Sequence, residues 1–500
     1  MGFPGRNARE WIGTGGRERY RRGGGQSGRR RILRAVGFSA LSACLAGCTS
    51  EQPDRPKAVV LIVVDALRAD RLPFYGFESN TAPFLSSLAR RSVVFEKAWS
   101  GSSWTCPAMA SIFTSLYPSQ HGVLTNLVAY NMMKDQVRSL RLNRMPPAVE
   151  TLAEVMHRLG YKTFGIVDNP TVAESQGFGR GFDRFVVLPY KAAEAVNEKL
   201  AEWSDQIKQA DRYFLYLHYM DPHQPYNPRQ PWFRKDSPED SLPTEPETWS
   251  PDLKDRIIKR FYVEGAPSGE VDRFLVKLVT KARAAYDSEI GYVDKHIQEV
   301  FDLLSLENGA LVIFTSDHGE EFCEHGSIGH DFQLYSELTR VPLLVFGPHL
   351  VPRRVAQGVT TLDIFPTLCE LAGGEAAHQL QGASLRLLLA GQDLDQRKLF
   401  SMRALETGEE VQWKKAVMTD NYKYIVSHPS GVEELYDLAR DPAERDNMAT
   451  REAIMVKRLR DELRTFEQGA PQWNRSFADP TSVAPELIEQ LRQLGYAGDR

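Results

Sequence analysis

The sequence predicts an α/β protein: a large, mainly parallel sheet flanked by helices, followed by a small C-terminal α+β subdomain. Three observations carry this. Short, continuous apolar runs recur along the first 350 residues, as expected for parallel strands buried on both faces. Helical patterns fall between those runs, so that strand and helix alternate. After about residue 395 the texture changes to short strands separated by turns.

The first run is "AVVLIVVDALRAD", which ends in Asp65. "YKTFGIVDN", "YFLYLHYMD", "ALVIFTSDHG" and "VPLLVFG" follow. Helices are expected over Thr81 to Arg91, over Ala148 to Leu159 with Gly160 stopping it, over about Ala192 to Gln209, and over about Val271 to Leu304. "PAMASIFTSL" reads as a further helix with Pro107 at its first position. Residues 227–268, rich in Pro and charge, read as an insertion or flap with some helix around 251–262. Beyond residue 395, "KKAVMTDNYKYIVSH" and "EELYDL" read as antiparallel strands. Glu452 to Phe466 and Pro485 to Leu494 read as amphipathic helices packed back on the body. The expected parts are therefore a leader over 1–48, an α/β body over 56–395, and a C-terminal subdomain with its helices over 396–500.

The formal net charge of −4 hides an asymmetry. Residues 1–34 hold ten Arg against two Glu, and the rest of the chain is acidic. An acidic body argues against nucleic acid as the partner. The leader "RRRILRAVGFSALSACLAGC" has a basic stretch and then an apolar one too short to span a bilayer, which is the pattern of an export signal. Its end, Leu45-Ala46-Gly47-Cys48, resembles a bacterial lipobox. The alternative is a plain secretory signal with a chance Cys. The lipobox reading makes Cys48 the lipidated N-terminus and places the protein at the periplasmic face of the outer membrane or the cell surface. Arg29 to Arg34 resembles, more weakly, the twin-arginine export pattern. Cys106, Cys323 and Cys369 are far apart and form neither a disulfide framework nor a zinc-knuckle spacing.

Polar residues gather at the carboxyl ends of the expected strands: Asp65 after the first, His218 and Asp221 after "YFLYLHY", Asp317 and His318 after "ALVIFTS". Ligands of open α/β sheets sit just outside those ends. Two Asp and one His suit a divalent cation. Thr105 and Cys106 stand side by side at the start of the "PAMASIFTSL" helix, where free N–H groups favour an anion. Either is a candidate nucleophile, and Thr105 also fits a plain N-cap.

Taken together, "VVLIVVDALRADRLPFYGFESNTAPFLSSLA", "WTCPAMASIFTSLYPSQHGV", "LHYMDPHQPY", "AAYDSEIGYVDKHI", "FTSDHGEEFCEHGSIGHDFQLYSELTRVPLLV", "ELYDLARDPAERDN" and "LRQLGYAG" resemble, in that order, the sulfatase family of the alkaline phosphatase superfamily. The resemblance covers about residues 56–500 and implies an alkaline-phosphatase-like fold. It implies that Asp65, Asp317 and His318, with Thr105, hold one divalent metal ion. Mn²⁺, Zn²⁺, Ca²⁺ and Mg²⁺ all suit that set. It implies that His223 contacts the substrate anion and that His330 stands where sulfatases usually carry an anion-binding Lys. Asn126 lies at the spacing where phosphodiesterase relatives place a phosphoryl-binding Asn. His218 and Asp221 are candidates for proton transfer, with Asp221 alternatively orienting His223. His121 and His325 fit the family pattern and fit a structural role equally well.

The sequence also departs from that family. Classical sulfatases carry a Cys, oxidised to formylglycine, with Pro two positions on and Arg four positions on. Alignment puts Thr105 at that Cys, Pro107 at the Pro and Met109 at the Arg. Cys106 is out of register by one. Ala66 replaces the second Asp of calcium-binding sulfatases. A formylglycine hydrate sheds sulfate by elimination, a route closed to Thr. A phosphothreonine ester, by contrast, can be cleaved by metal-activated water. The expectation is a metal-dependent hydrolase of sulfate, phosphate or phosphonate esters, of phosphoryl type and with Thr105 as nucleophile, acting on a small-molecule, lipid or glycan ester. The alternatives are a phospho-head-group transferase and an inactive binding module.

Overall fold

A computed structural model describes residues 55–125, 141–188, 192–233, 270–330, 333–406, 411–470 and 473–478. Eight strands form the main sheet: β1 (Ala58–Val64), β2 (Val93–Phe95), β3 (Lys162–Val167), β4 (Arg184–Val187), β5 (Tyr213–Tyr219), β6 (Leu311–Thr315), β7 (Leu343–Phe346) and β8 (Arg353–Val355). Their order across the sheet is β8-β2-β7-β6-β1-β5-β3-β4. Only β7 runs against its neighbours, so the sheet is mainly parallel, as the apolar runs predicted.

Alternation within each run explains why the runs are apolar throughout. Val60, Ile62 and Val64 of β1 pack with Leu215 and Leu217 on one face of the sheet. Helices α1 (Pro83–Ala89), α4 (Ala193–Gln209) and α5 (Glu270–Leu304) cover that face. Val59, Leu61 and Val63 pack on the other face with Phe214, Tyr216 and Ile313. There α2 (Thr105–Thr114), α3 (Leu152–Arg158) and α6 (Ile364–Leu371) lie. With a period of two and both faces covered, most positions in such a strand favour apolar side chains, and in β1 all seven are apolar.

Register then aligns the strand ends. Val63 lies opposite both His218 and Thr315, and Val167 lies opposite His218. Two residues further along, Asp65, Asp317 and Asn169 therefore leave three strands at one level. Their odd-numbered parity in β1 and β6 continues that of Val63 and Ile313, which point to the α2 side.

Helix ends follow local chemistry. Thr151 caps α3 and accepts from Glu154 N at 3.2 Å, while the Glu154 carboxylate accepts from Thr151 N at 2.8 Å. This reciprocal box satisfies two free donors. Gly160, at φ +89°, ends that helix in the left-handed conformation expected of it. Helix α2 starts at Thr105, two residues earlier than expected, so Pro107 takes its third position rather than its first. That position still needs no intrahelical N–H bond.

The expected strands after residue 395 form an antiparallel sheet of β9 (Leu399–Glu406), β10 (Val411–Met418), β11 (Tyr422–His428) and β12 (Glu433–Asp437). Helix α7 (Ala453–Gly469) packs Val456, Leu459 and Leu463 against Phe400, Met402, Tyr424 and Leu435. The helices expected over 251–262 and Pro485 to Leu494 lie outside the described residues, as do Cys48 and Asn126. Among the described residues no helix is long and apolar enough to cross a membrane.

Candidate active site

Thr105 opens α2 with Trp104 as its extended N-cap residue. Its hydroxyl lies 3.2 Å from His318 Nε2 and 3.4 Å from Asp65 Oδ2. Thr105 is therefore the first helical residue, not an N-cap. Cys106, one position on, turns through a helical step of about 100° into the α2-side core. There its sulfur accepts from Gln176 Nε2 at 3.2 Å, and burial pushes the thiol up to about 12. A thiol so buried is a poor nucleophile and an inaccessible substrate for oxidation. Met109 is fully buried in the same core.

Asp65, Asp317 and His318 meet beside Thr105, each with no exposed surface. One ligand atom from each lies within 4.8 Å of the others. His318 Nε2 is 3.6 Å from Asp65 Oδ1 and 3.4 Å from Asp317 Oδ2. His318 Nδ1 lies 2.7 Å from Gly319 O, which can only accept, so Nδ1 carries the hydrogen and Nε2 presents its lone pair inward. Asp317 Oδ1 accepts from His318 N (2.9 Å) and Ala66 N (3.2 Å). Ala66 sits at φ +54°, the turn that brings its N–H there.

Electrostatics at this point are unbalanced within the protein itself. Burial pushes Asp65 towards protonation, but the hydrogen bond from His218 and the charges of His223 and His318 outweigh it and hold the carboxyl well below the usual range. Burial and the neighbouring Asp65 push Asp317 up. Burial opposes protonation of His318, and the charges of Asp317 and Asp65 overcome it, raising its pKa. Asp65 Oδ1 and Asp317 Oδ2 are buried without a hydrogen-bond partner. Two inward carboxylate oxygens without partners and one imidazole lone pair fit a divalent cation.

Residues around the cluster divide by role. His218 donates from Nε2 to Asp65 Oδ2 (3.0 Å) and accepts from the Tyr216 hydroxyl at Nδ1 (2.7 Å). Both nitrogens are thus engaged within the protein, and His218 holds the Asp65 carboxylate in place. Asp221 caps α4 by accepting from Ala193 N (2.8 Å), and it pairs with Arg229 (2.7 Å). It orients that loop and not the His223 ring, whose Nδ1 lies 2.5 Å from Gln224 O. His223, His330 and His318 form a row, with ring centroids 4.7 Å and 4.5 Å apart. Burial pushes His223 down to about 4. His330 donates from Nδ1 to Glu320 at 2.8 Å.

His121 and His325 lie in structural settings. His121 is buried, accepts from Val123 N (3.0 Å) and meets Ser111 (3.1 Å). His325 stacks on Tyr335 with centroids 3.7 Å apart and reaches Glu444 O at 3.1 Å.

Three residues were not anticipated. Asn169 donates to Asp65 Oδ2 (2.6 Å) and reaches Thr105 Oγ1 (3.5 Å). Its carbonyl oxygen accepts from Thr171 N and the Thr171 hydroxyl (2.8 and 2.7 Å), which fixes the amide orientation. The signal for it was the polar end of "YKTFGIVDN", read by the rule that found Asp65. Glu320 acts through His330, ten residues on, and no spacing announces that partner; Tyr216 stands two residues before His218 on one face of β5, as the strand period of two allows.

The profile of the family described as "Sulfatase" matches residues 57–374, and that described as "N-sulphoglucosamine sulphohydrolase, C-terminal" matches residues 323–469. The chain is 26% identical over 465 residues to a protein named "Sulfatase" from Formosa agariphila, covering 82% of this chain and 88% of that one. It is 26% identical over 446 residues to a choline-sulfatase from Rhizobium meliloti, covering 78% and 82%. The phosphonate monoester hydrolase of Agrobacterium radiobacter superposes with a TM-score of 0.65 at 20% identity, covering 83% of this chain and 96% of that one.

Proposed function

The chain belongs to the sulfatase family, within the alkaline phosphatase superfamily, and is an ester-bond hydrolase; from that premise we propose that it is a metal-dependent enzyme of phosphoryl type with Thr105 as nucleophile. One observation carries the reading. Thr105 Oγ1 lies at the helix start within hydrogen-bond reach of His318 and Asp65, whereas the neighbouring Cys106 sulfur is buried against Gln176. Asp65, Asp317 and His318 would hold one divalent ion. When bound, such an ion supplies a Lewis acid for the ester oxygen and stabilises an ionised Thr105 hydroxyl.

The chain's own groups do the rest. The Thr105 oxygen forms a bond to the phosphorus of a phosphate or phosphonate ester, and the bond to the alcohol oxygen breaks. His330, held at Nδ1 by Glu320, takes the proton that Thr105 gives up and passes it to the departing oxygen, and His223 lines the same side of the site. Asn169 keeps its amide donors towards Asp65 and Thr105. Water then cleaves the Thr105 ester and returns the hydroxyl. A Thr sulfate ester lacks the elimination route of formylglycine, so the choice of Thr favours phosphorus over sulfur. The sulfatase name of its relatives supports sulfate esters as the competing substrates.

We also infer that Cys48 is the lipidated N-terminus, which tethers the enzyme to the periplasmic face of the outer membrane or the cell surface. The support is the Leu-Ala-Gly-Cys run after an apolar segment. Mass spectrometry of the mature protein checks this, and an unmodified N-terminus downstream of Cys48 would rule it out. The test of the chemistry is a screen of purified protein on paired aryl phosphates, phosphonates and sulfates, with different divalent metals and with or without an alcohol acceptor. Faster turnover of the phosphorus esters is expected, with water as acceptor. Turnover of sulfates alone overturns the phosphoryl reading, and product carried by the alcohol alone identifies a transferase.

A further inference from the structure

The backbone turn after Asp65 joins the two inward carboxylates: it leaves from one and donates to the other. Ala66 N donates to Asp317 Oδ1 at 3.2 Å, Leu67 N to Ser316 Oγ at 3.0 Å, and Arg68 N to the Tyr286 hydroxyl at 2.8 Å. The Tyr286 hydroxyl donates onward to Ala66 O at 2.7 Å, and the Ser316 hydroxyl donates to His318 O at 2.5 Å. Three successive N–H groups are thus claimed by the strand end that bears Asp317 and by helix α5, which carries Tyr286. Ala66, Leu67, Tyr286 and Ser316 have no exposed surface.

Such a turn does not hold its shape unaided. Ala66 sits in the left-handed region at φ +54°, which a residue with a Cβ disfavours and Gly enters freely. Tyr286 supplies a restraint from across the chain. Its one hydroxyl, as donor and as acceptor, straps Ala66 O to Arg68 N. Its ring meets Phe322 edge-on with centroids 5.2 Å apart, which fixes where the hydroxyl lies. Without that hydroxyl, a buried carbonyl and a buried N–H lose their partners. The turn then relieves itself by returning Ala66 to negative φ. That movement takes Ala66 N away from Asp317 Oδ1 and swings Asp65 relative to Asp317.

We propose that Tyr286 and Ser316 are positioning residues for the metal site. Their hydroxyls hold the turn at Ala66 so that Asp65 and Asp317 each present an oxygen close enough, with His318, for one divalent ion to bridge. They act through the backbone and not on the substrate. This rests on the metal reading above.

Titration of the metal-free protein with Co²⁺ tests this without turnover. The affinity reports how well the ligands are pre-set, and the visible absorption bands of the bound ion report their geometry. Tyr286→Phe should weaken Co²⁺ binding about 10- to 100-fold, the usual cost of losing a group that orients a metal ligand, and should shift the bands. Ser316→Ala should weaken binding in the same direction, and it carries the test if thermal melts show that Tyr286→Phe does not fold. Adding Ala66→Gly to Tyr286→Phe should restore part of the affinity, because Gly keeps a positive φ without the strap. A merely structural role would lower the melting temperature and leave the Co²⁺ affinity and bands unmoved. Native affinity and native bands in the folded variants overturn the proposal, as does a double variant that binds no tighter than Tyr286→Phe. Failure of the metal reading has a different signature: the native protein itself takes up no Co²⁺, and this inference falls with it.

Discussion

Thr105 and Cys106 are chain neighbours that serve different sides of one helix: the Thr105 hydroxyl meets His318 Nε2 at 3.2 Å, and the Cys106 sulfur meets Gln176 Nε2 at 3.2 Å in the core. The helical step between them separates the reactive position from a packing position. Thr105→Ala should therefore lose about a thousandfold or more in kcat, because binding and anion stabilisation do not replace a missing attacking group. Cys106→Ser should keep most of the activity. Acid quench with a good phosphorus ester should leave a phospho-residue at Thr105. A formylglycine mass at Cys106, with an inactive Cys106→Ser protein, is the result that would restore formylglycine chemistry.

Asp317 contributes one of two partnerless inward oxygens. Asp317→Asn removes a charge from that donor set and should empty the site, as read by elemental analysis of the purified protein. A stability readout accompanies it. A ligand that binds only the folded state at a hundred times its Kd stabilises by about 2.7 kcal/mol. Added divalent metal should thus raise the melting temperature of the native protein and leave that of Asp317→Asn unmoved. Equal metal content in both proteins contradicts the assignment.

The legible part of this molecule was what depends on local pattern. Apolar runs identified β1, β3, β5, β6 and β7, because strands buried on both faces are built mostly of apolar residues. The strand-end rule brought Asp65, Asp317 and His318 to one sheet edge. Side-chain direction beyond the strand was harder to read. His218 and Asp221 looked equally placed for proton transfer, yet His218 is closed off by Tyr216 and Asp65, and Asp221 is committed to the start of α4 and to Arg229. Partners far apart in the chain, such as Glu320 with His330 or Arg403 with Trp104, are joined only by the packed fold.

Asn169 and His218 both donate to Asp65 Oδ2, at 2.6 Å and 3.0 Å. Together they leave Oδ1 as the inward oxygen. Asn169→Ala and His218→Ala should each lower metal affinity or kcat by about 10- to 100-fold, the usual cost of losing a group that orients a metal ligand. Metal titration under single-turnover conditions separates the two effects. Asn169→Asp should be worse than Asn169→Ala, because it sets a second carboxylate against Asp65. An Asn169→Ala protein with native metal affinity and native turnover would leave Asn169 with no part in the site.

Asp294 on the long helix α5 does for α1 what Ala82 cannot. Its two carboxylate oxygens accept from Phe84 N (2.9 Å) and Leu85 N (2.7 Å), at a helix whose N-cap residue has no polar side chain. Losing such a cap costs about 1 kcal/mol, and up to about 2. Burial pushes this carboxyl from 3.8 to about 7, against the two N–H bonds that favour its ionised form. The folded pKa therefore lies above the unfolded one. The protonated form is the one folding favours, so the associated stability is fully present below about pH 4 and is lost as pH rises through 7. Asp294→Asn does not titrate. The stability difference between native protein and Asp294→Asn should accordingly be larger at pH 5 than at pH 8, as read from urea unfolding at both. A difference that grows with pH would mean that the N–H bonds outweigh burial and that Asp294 is ionised throughout.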